Sequence, residues 1–156
     1  MKANLKSIVL SILVLFLSVS FLNAAELNLG SGEGSPGGTV SVPVTLTGAR
    51  GIAAASVDIA YNTALLTNPK AEIGPSGKSA GKEVYASAPF EGVFRVGILG
   101  LNLNEISDGV VATVSFEIVS GSSSAKTVQL KNTPTASDAK GNAVKVSGSN
   151  GVITIR

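Results

Sequence analysis

The sequence predicts an all-β protein that folds as a single antiparallel β-sandwich. Three observations support this fold class. Several segments alternate apolar and polar residues with a period of two, as half-buried strands do. Clusters of Gly, Ser, Asn and Asp separate these segments at short intervals. After residue 25, no window of the chain has the period of an amphipathic helix.

The first long strand is predicted in "TVSVPVTLT", residues 39–47. Val40, Val42, Val44 and Leu46 share one phase of the alternation, so we expect them to face the core. Pro43 has no N–H to donate to a β-ladder. The strand is therefore predicted to lie at a sheet edge or to carry a bulge at this proline.

Two further long strands show the same alternation. In "GIAAASVDIAYNTALL", residues 51–66, the expected core-facing residues are Ala53, Ala55, Val57, Ile59 and Tyr61. The expected outward residues of that strand are Ala54, Ser56, Asp58 and Ala60. In "VVATVSFEIV", residues 110–119, the expected core-facing residues are Val110, Ala112, Val114, Phe116 and Ile118. Shorter strands are predicted in "ELNL", "LTNPKAEI", "KEVYAS", "VFRVGIL", "TVQLKN", "AVKV" and "GVITI".

Glycine-rich segments between the strands are predicted to be turns. Gly32, Gly34 and Gly37 of "GEGSPG" match the G-x-G-x-x-G spacing of dinucleotide-binding loops. That motif holds pyrophosphate only where a helix follows it, and here the strand "TVSVPVTLT" follows. The motif is therefore interpreted as a flexible turn.

Residues 1–25 are predicted to be a cleaved signal peptide. Lys2 and Lys6 precede an apolar run from Ile8 to Leu22, and "NAA" offers small residues for cleavage after Ala24 or Ala25. The alternative, a membrane anchor, is less favoured because the run is short and no basic cluster follows it. We expect an exported protein, extracellular or periplasmic, with one domain at 26–156 and no membrane contact after cleavage.

Charge and cysteine content exclude several classes of partner. Without Lys2 and Lys6, basic and acidic residues balance at ten each, and no basic cluster indicates nucleic acid or anionic membrane as a partner. The chain has no cysteine, so disulfides are excluded.

The residue types argue against an enzyme. The chain has no histidine or cysteine, and its acidic residues are scattered singly. Asp58 and Glu117 lie mid-strand and are expected on solvated sheet surface. Asp108 and Asp138 are interpreted as turn residues because neither belongs to a regularly spaced set of calcium ligands. We predict no catalytic residues, no metal site and no cofactor.

Aromatic residues bear on carbohydrate binding. Tyr61, Phe94 and Phe116 share the phase of core aliphatic residues, so we expect them inside. Tyr85 and Phe90 are left as candidates for a carbohydrate-binding surface, although such a platform normally needs several coplanar rings.

The order of several blocks carries a family resemblance. "GIAAASVDIAYNTALL" is followed by "SDGVVATVSFEIV", "TVQLKN", "DAKGNAV" and "NGVITI", and this series resembles the cohesin domain from Glu26 to Arg156. Tyr61, Asn62 and Leu65 fill the places of the family's Tyr-Asp-Pro turn and its following buried leucine. Asn62 is expected to make the same side-chain turn bond as Asp.

The resemblance implies a nine-strand sandwich of jelly-roll type that binds protein. Cohesins hold dockerins, calcium-loaded helical modules attached to polysaccharide-degrading enzymes, on one flat sheet face. Calcium is thus expected in the partner and not in this chain. Because the family's superfamily contains carbohydrate-binding modules, polysaccharide is the alternative ligand.

The contact residues expected from the resemblance and the alternation lie on three segments. They are Ala54, Ser56, Asp58, Arg95, Leu101, Asn102 and Leu103. Small outward residues at 54 and 56 suit close approach of a helix, although they also suit a site covered by the domain's own loop. Cohesins carry Asn and Asp at these two positions, so we expect either a divergent dockerin or another partner. Leu101 and Leu103 are interpreted either as partner contacts or as a plug for the end of the sandwich.

Overall fold

The computed structural model describes residues 24–122 and 126–156. Within these ranges the chain forms twelve strands and one short helix. The strands are β1 (Ala25–Leu29), β2 (Ser31–Gly34), β3 (Thr39–Thr47), β4 (Ala54–Ala60), β5 (Leu66–Ile73), β6 (Glu83–Phe90), β7 (Val93–Leu99), β8 (Gly109–Ile118), β9 (Lys126–Ser137), β10 (Ala143–Val144), β11 (Val146–Ser147) and β12 (Gly151–Ile155). The helix α1 (Pro75–Ser79) lies between β5 and β6, where a turn was predicted.

The strands form two sheets. The first sheet has five strands in the order β11-β1-β3-β8-β5. The second has seven, in the order β2-β12-β9-β4-β7-β6, with β10 paired to β9 beside this path. Among the described residues no helix is long and apolar enough to cross a membrane.

The core lies between the two sheets, and the predicted alternation is confirmed except at Val110, which pairs with the outward Thr45 after a register shift while Val111 is buried instead. Val42 of β3, Val57 of β4 and Phe116 of β8 are fully buried. The rings of Tyr61 and Phe116 pack with centroids 5.1 Å apart. Burying such apolar side chains from both sheets is the main force that holds the sandwich together.

The turn expected after Tyr61 is also confirmed. The N–H of Ala64 donates to Oδ1 of Asn62 at 2.9 Å, as the resemblance implies. The fully buried leucine that follows is Leu66, however, whereas Leu65 is only partly buried.

The prediction of nine purely antiparallel strands is wrong. The described residues contain twelve strands, and two pairings are parallel: β1 with β11 and β2 with β12. The predicted strand "AVKV" is also divided, since β10 pairs with β9 whereas β11 pairs with β1. β10 and β11 have only two residues each, which is too short for an alternation that the sequence could show.

β2 was predicted to be part of a turn because of its glycines. Its "SGEG" backbone pairs with β12, and its glycines let that backbone lie against neighbouring strands. A Cβ atom on Gly32 would lie 2.7 Å from the carbonyl oxygen of Ser41, and one on Gly34 would lie 2.8 Å from Cδ1 of Ile118. Only Gly37, with φ of +82°, serves the turn itself.

Pro43 lies in β3, which is an inner strand, and the register with β8 shifts one residue later, between Val44 and Thr45. The N–H of Gly30 donates to the carbonyl of Pro43 at 2.9 Å, just where β1 has ended. The missing proline N–H is tolerated there because the regular β1–β3 ladder stops at Val44.

The predicted signal peptide falls almost entirely on residues 1–23, outside the described part of the chain. The described domain starts at its first strand with the buried residue Ala25.

Candidate functional site

The outward face of the second sheet brings most of the predicted contact residues together. Strand register sets Ser56 of β4 opposite Gly97 of β7, and Gly97 opposite Tyr85 of β6. The next row holds Asp58, Arg95 and Ser87. Residues paired across antiparallel strands project from the same face of a sheet.

We call this surface the candidate face. It comprises the outward residues of four neighbouring strands and the loop of residues 100–104 that follows β7. The outward strand residues are Ala54, Ser56, Asp58, Ala60, Glu83, Tyr85, Ser87, Phe90, Val93, Arg95, Gly97, Leu99, Lys131, Thr133, Thr135 and Ser137.

Exposed large hydrophobic side chains are concentrated on the candidate face. Five such residues occur in the described chain, and all lie on β6, β7 or the 100–104 loop. They are Tyr85, Phe90, Leu99, Leu101 and Leu103. Leu101 is fully exposed, and Leu103 and Phe90 are 73% and 72% exposed. Apolar groups gathered in this way mark an interaction surface.

The centre of the candidate face is an ion pair. Nε of Arg95 donates to Oδ1 of Asp58 at 2.7 Å, and Nη2 donates to Oδ2 at 2.7 Å. This bidentate hydrogen bonding lowers the pKa of Asp58 and raises the pKa of Arg95. Two N–H groups of Arg95 are thus already bonded within the domain, which leaves fewer to bond a partner. The pair therefore presents a nearly neutral centre.

Small residues surround the ion pair. Ala54, Ser56 and Ala60 are partly exposed in β4, and the neighbouring position of β7 is Gly97. A Cβ atom at 97 would approach Cδ2 of Leu99 to 3.2 Å. The middle of the face is thus smooth, with longer apolar side chains at its edges.

The 100–104 loop exposes its leucines and uses its asparagines internally. Asn102 donates through Nδ2 to the carbonyl of Gly81 at 2.8 Å, and Asn104 donates through Nδ2 to the carbonyl of Ala80 at 3.2 Å. Leu101 and Leu103, which alternate with them, project into solvent.

The plug interpretation of the leucines is therefore wrong. Ile106 occupies the buried position instead, only 1% exposed, and its N–H donates to the carbonyl of Ile52 at 2.7 Å.

Lys82 lies beneath this loop and was not singled out from the sequence. It is 4% exposed, and its Nζ donates to the backbone oxygen of Asn102 at 3.0 Å and to Oδ1 of Asn102 at 2.8 Å. Burial lowers the pKa of the Lys82 ammonium. No local pattern marks Lys82, because its burial is created by a loop twenty residues away in the chain.

Tyr85 and Phe90, the predicted carbohydrate-binding residues, lie on the candidate face rather than on a separate platform. Tyr85 is 53% exposed, and its hydroxyl donates to Oε2 of Glu83 at 3.0 Å. This bond raises the pKa of Tyr85. The β6–β7 register shifts between Ser87 and Phe90, which separates the two rings along the strand.

Sequence reasoning missed Leu99, Thr133 and Thr135 as members of the face. The signal for Leu99 was present, since it shares the phase of Arg95 in "VFRVGIL". The threonines of β9 join the face only through the pairing of β9 with β4, which the sequence does not reveal.

Asp108 and Asp138, the acidic residues considered as calcium ligands, make hydrogen bonds that stabilise loops of the domain. Oδ1 of Asp108 accepts the N–H of Ala49 at 2.8 Å, so it joins two loops. Asp138 accepts hydrogen bonds from the side-chain Nδ2 and the backbone N–H of Asn142 and from the backbone N–H of Lys140; these bonds lower its pKa and confirm the predicted turn. Within residues 24–122 and 126–156, no three potential metal-ligating side chains cluster.

A β-sandwich whose exposed hydrophobic side chains gather on one sheet face has the features of a protein-binding module. The family model described as Cohesin domain matches residues 25–155. The chain belongs to the cohesin domain family, whose members are non-catalytic binding modules that need no cofactor. No curated protein sequence matches the chain significantly.

Solved cohesin structures share this fold at low sequence identity. The sixth cohesin of scaffoldin B from Acetivibrio cellulolyticus, in complex with a Cel5 dockerin mutant, is 24% identical with a TM-score of 0.74; the match covers 86% of this chain and 100% of that one. The OlpA cohesin of Clostridium thermocellum, in complex with a dockerin, is 21% identical with a TM-score of 0.73 and coverages of 86% and 100%. A non-cellulosomal cohesin from the archaeon Archaeoglobus fulgidus is 21% identical with a TM-score of 0.68 and coverages of 85% and 91%.

Proposed function

We propose that this cohesin domain binds a dockerin-like module across the candidate face and so recruits a partner, such as a polysaccharide-degrading enzyme. The observation that carries the proposal is the placement of all five exposed large hydrophobic residues of the described chain on β6, β7 and the 100–104 loop. Two of the three solved structures described above are named as cohesin–dockerin complexes.

The shape of the face supports a helical partner. Ala54, Ser56 and Gly97 leave the centre shallow, so a helix backbone approaches closely without ordering long side chains. Leu99, Leu101 and Leu103 provide apolar contact area at one end. We therefore propose a partner with small residues at its centre and an apolar group facing these leucines.

The proposed contact residues are Ala54, Ser56, Asp58, Arg95, Leu101, Asn102 and Leu103. Asp58 and Arg95 contribute as a pair, because a partner that bound either alone would leave the other charge unpaired. Asn102 contributes mainly by position, since both ends of its amide already bond within the domain.

The test is calorimetric titration of residues 26–156 with candidate dockerins, with and without a calcium chelator. Ala54→Arg is expected to block the close approach of a helix and abolish measurable binding. Ser41→Arg, on the outward side of β3 in the other sheet, is the matched control and is expected to bind like wild type. Equal affinity of the Ala54→Arg and Ser41→Arg proteins would reject the face.

We also propose that calcium is required by the partner alone and that the protein is exported after cleavage of residues 1–25. The first proposal predicts that chelator abolishes binding without changing the melting temperature of this domain. The second predicts a mature N-terminus at residue 25 or 26, found by N-terminal sequencing of the extracellular or periplasmic fraction. An intact Met1 in the membrane fraction would contradict export by cleavage.

A second candidate function is polysaccharide binding through Tyr85 and Phe90. It is favoured by the exposure of both rings on one sheet face. Affinity electrophoresis in gels with cellulose, xylan or chitin derivatives tests it. Retardation of the wild type that Tyr85→Ala or Phe90→Ala abolishes would support this function over dockerin binding.

A further inference from the structure

We propose that Lys82 is a positioning residue that clamps the 100–104 loop from beneath and thereby presents Leu101 and Leu103 to the partner. This proposal rests on the proposed function where it concerns affinity. The clamp itself is a property of the free domain and is testable without a partner.

The bonding of Lys82 is specific to the loop. Lys82 is 4% exposed, and its Nζ donates to two oxygens of one residue, the backbone carbonyl and Oδ1 of Asn102. In the described chain the salt bridges join Arg95 to Asp58 and Arg156 to Glu33, so the ammonium of Lys82 is satisfied by the loop and not by a carboxylate. A buried ammonium is costly unless it is hydrogen-bonded, so its burial depends on the loop staying in place.

The asparagines complete the clamp. Oδ1 of Asn102 accepts the N–H of Asn104 at 3.1 Å in addition to the Lys82 ammonium. The amide nitrogens of both asparagines hold the carbonyls of residues 80 and 81. These bonds fix every second residue of the loop, and the intervening leucines are therefore directed outward.

Close backbone packing leaves the loop little freedom. A Cβ atom on Gly100 would lie 3.0 Å from the carbonyl oxygen of Gly81, and one on Gly81 would lie 3.1 Å from Nδ2 of Asn102. Gly81 has φ of +67°, a conformation that other residues adopt at a cost. The two segments therefore lie in contact over several residues.

A rigid loop makes the exposed leucines useful to a partner. Side chains that are held in place before binding lose less conformational freedom on association. Lys82 thus acts on affinity through Leu101 and Leu103 without touching the partner itself.

The first experiment measures loop mobility in the free domain. The chain has no cysteine, so Leu103→Cys provides a single attachment site for a nitroxide spin label. Electron paramagnetic resonance should show a slowly moving label in the otherwise native protein and a fast-moving label with Lys82→Met. Lys78→Met removes an exposed lysine of α1 and should leave the spectrum unchanged. Asn102→Ala removes the side-chain oxygen that accepts the hydrogen bond from Lys82. If Lys82→Met does not fold, this second variant still tests the clamp. Unchanged mobility in each folded clamp variant would overturn the clamp.

The second experiment is a double-mutant cycle on dockerin affinity. Lys82→Met is expected to raise the Kd roughly tenfold in the native background, through a faster dissociation rate. In the background of Leu101→Ala with Leu103→Ala it should have no further effect, because the residues it positions are gone. A mobile loop with unchanged Kd, or an equal effect in both backgrounds, would overturn the positioning role. If no dockerin binds the native protein, the proposed function fails, whereas the spin-label spectra still decide whether Lys82 clamps the loop.

Discussion

The two outer faces of this sandwich differ in chemistry although the same alternation of residues builds both. The outward side of the five-stranded sheet is formed mostly by polar and charged residues, many of them hydroxyl-bearing. Its β3 and β8 members are Thr39, Ser41, Pro43, Thr45, Thr47, Val110, Thr113, Ser115 and Glu117. The candidate face of the other sheet carries all five exposed large hydrophobic residues of the described chain.

The difference shows how a sandwich separates stability from function. Both sheets contribute buried aliphatic residues to one core, so both inner faces stabilise the domain. A polar outer face meets water at little cost, whereas exposed leucines and aromatic rings reduce solubility without adding to the core. Folding does not require this asymmetry, whereas the proposed binding through the candidate face does.

The largest expected difference is in the free energy of unfolding, between a substitution on the inner side of β4 and one on its outer side. Ile59→Ala removes a fully buried side chain and is expected to lower the free energy of unfolding by about 2–5 kcal/mol. Ser56→Ala, on the outer side of the same strand, is expected to change it by less than about 0.5 kcal/mol. Urea denaturation of both variants measures the two effects. Similar losses would mean that the strand's sides are wrongly assigned.

The next effect compares the two outer faces directly. Leu101→Asp with Leu103→Asp is expected to weaken dockerin binding by about a hundredfold or more, because charge replaces the apolar contact. Thr39→Asp with Ser41→Asp adds the same charge to the polar face and should leave the affinity unchanged. Calorimetric titration of both double variants measures the contrast. Comparable weakening by the two pairs would indicate a general charge effect.

The dependence of binding on salt sharpens the comparison further. Because Asp58 and Arg95 neutralise each other, raising the ionic strength from about 0.05 M to 0.5 M should change the Kd less than about threefold. Arg95→Gln leaves Asp58 charged and unpaired and should make binding both weaker and more sensitive to salt. Strong salt dependence of the native protein would show that unpaired charges dominate the contact.

The smallest effect concerns protonation of Asp58. Its pKa is lowered by the hydrogen bonds from Arg95, so the ion pair stabilises the fold at pH values above 3.8, the ordinary pKa of an aspartate. This stabilisation is lost as the pH falls through the lower pKa of the folded state. Arg95→Gln should raise the pKa of Asp58, as followed by NMR of its carboxyl carbon, whereas Arg50→Gln should not. An unchanged titration in Arg95→Gln would show that the pair does not form in solution.

Much of the inner structure was predictable because burial imposes a period. Val57, Ile59 and Phe116 were placed in the core from alternation alone, and all are fully buried. β2 was missed because its glycines give the strand no side-chain pattern. The pairing of β11 was missed because its partner, β1, is distant in the chain.

The sequence predicted which single residues lie on the candidate face, but not which of them contact one another. Alternation identified Asp58 and Arg95 as outward residues, yet their pairing depends on the β4–β7 register, across 37 positions of sequence. The role of Asn102 was missed for the same reason, because its partners Gly81 and Lys82 precede it by about twenty residues. Local patterns therefore predict the side of a strand, whereas partners across strands require the fold.

The parallel pairings described above have a consequence for folding kinetics. β12 is held against β2, and β11 against β1, so segments more than a hundred residues apart must meet before either sheet is complete. Closing such long loops costs chain entropy before the strand contacts form that stabilise the sheet. Folding is therefore expected to be slow for a domain of this size. During synthesis, residues 25–34 therefore wait with unpaired strand edges until residues 146–155 have emerged. Over that interval the nascent domain is most exposed to aggregation, and assistance from a chaperone would be most effective.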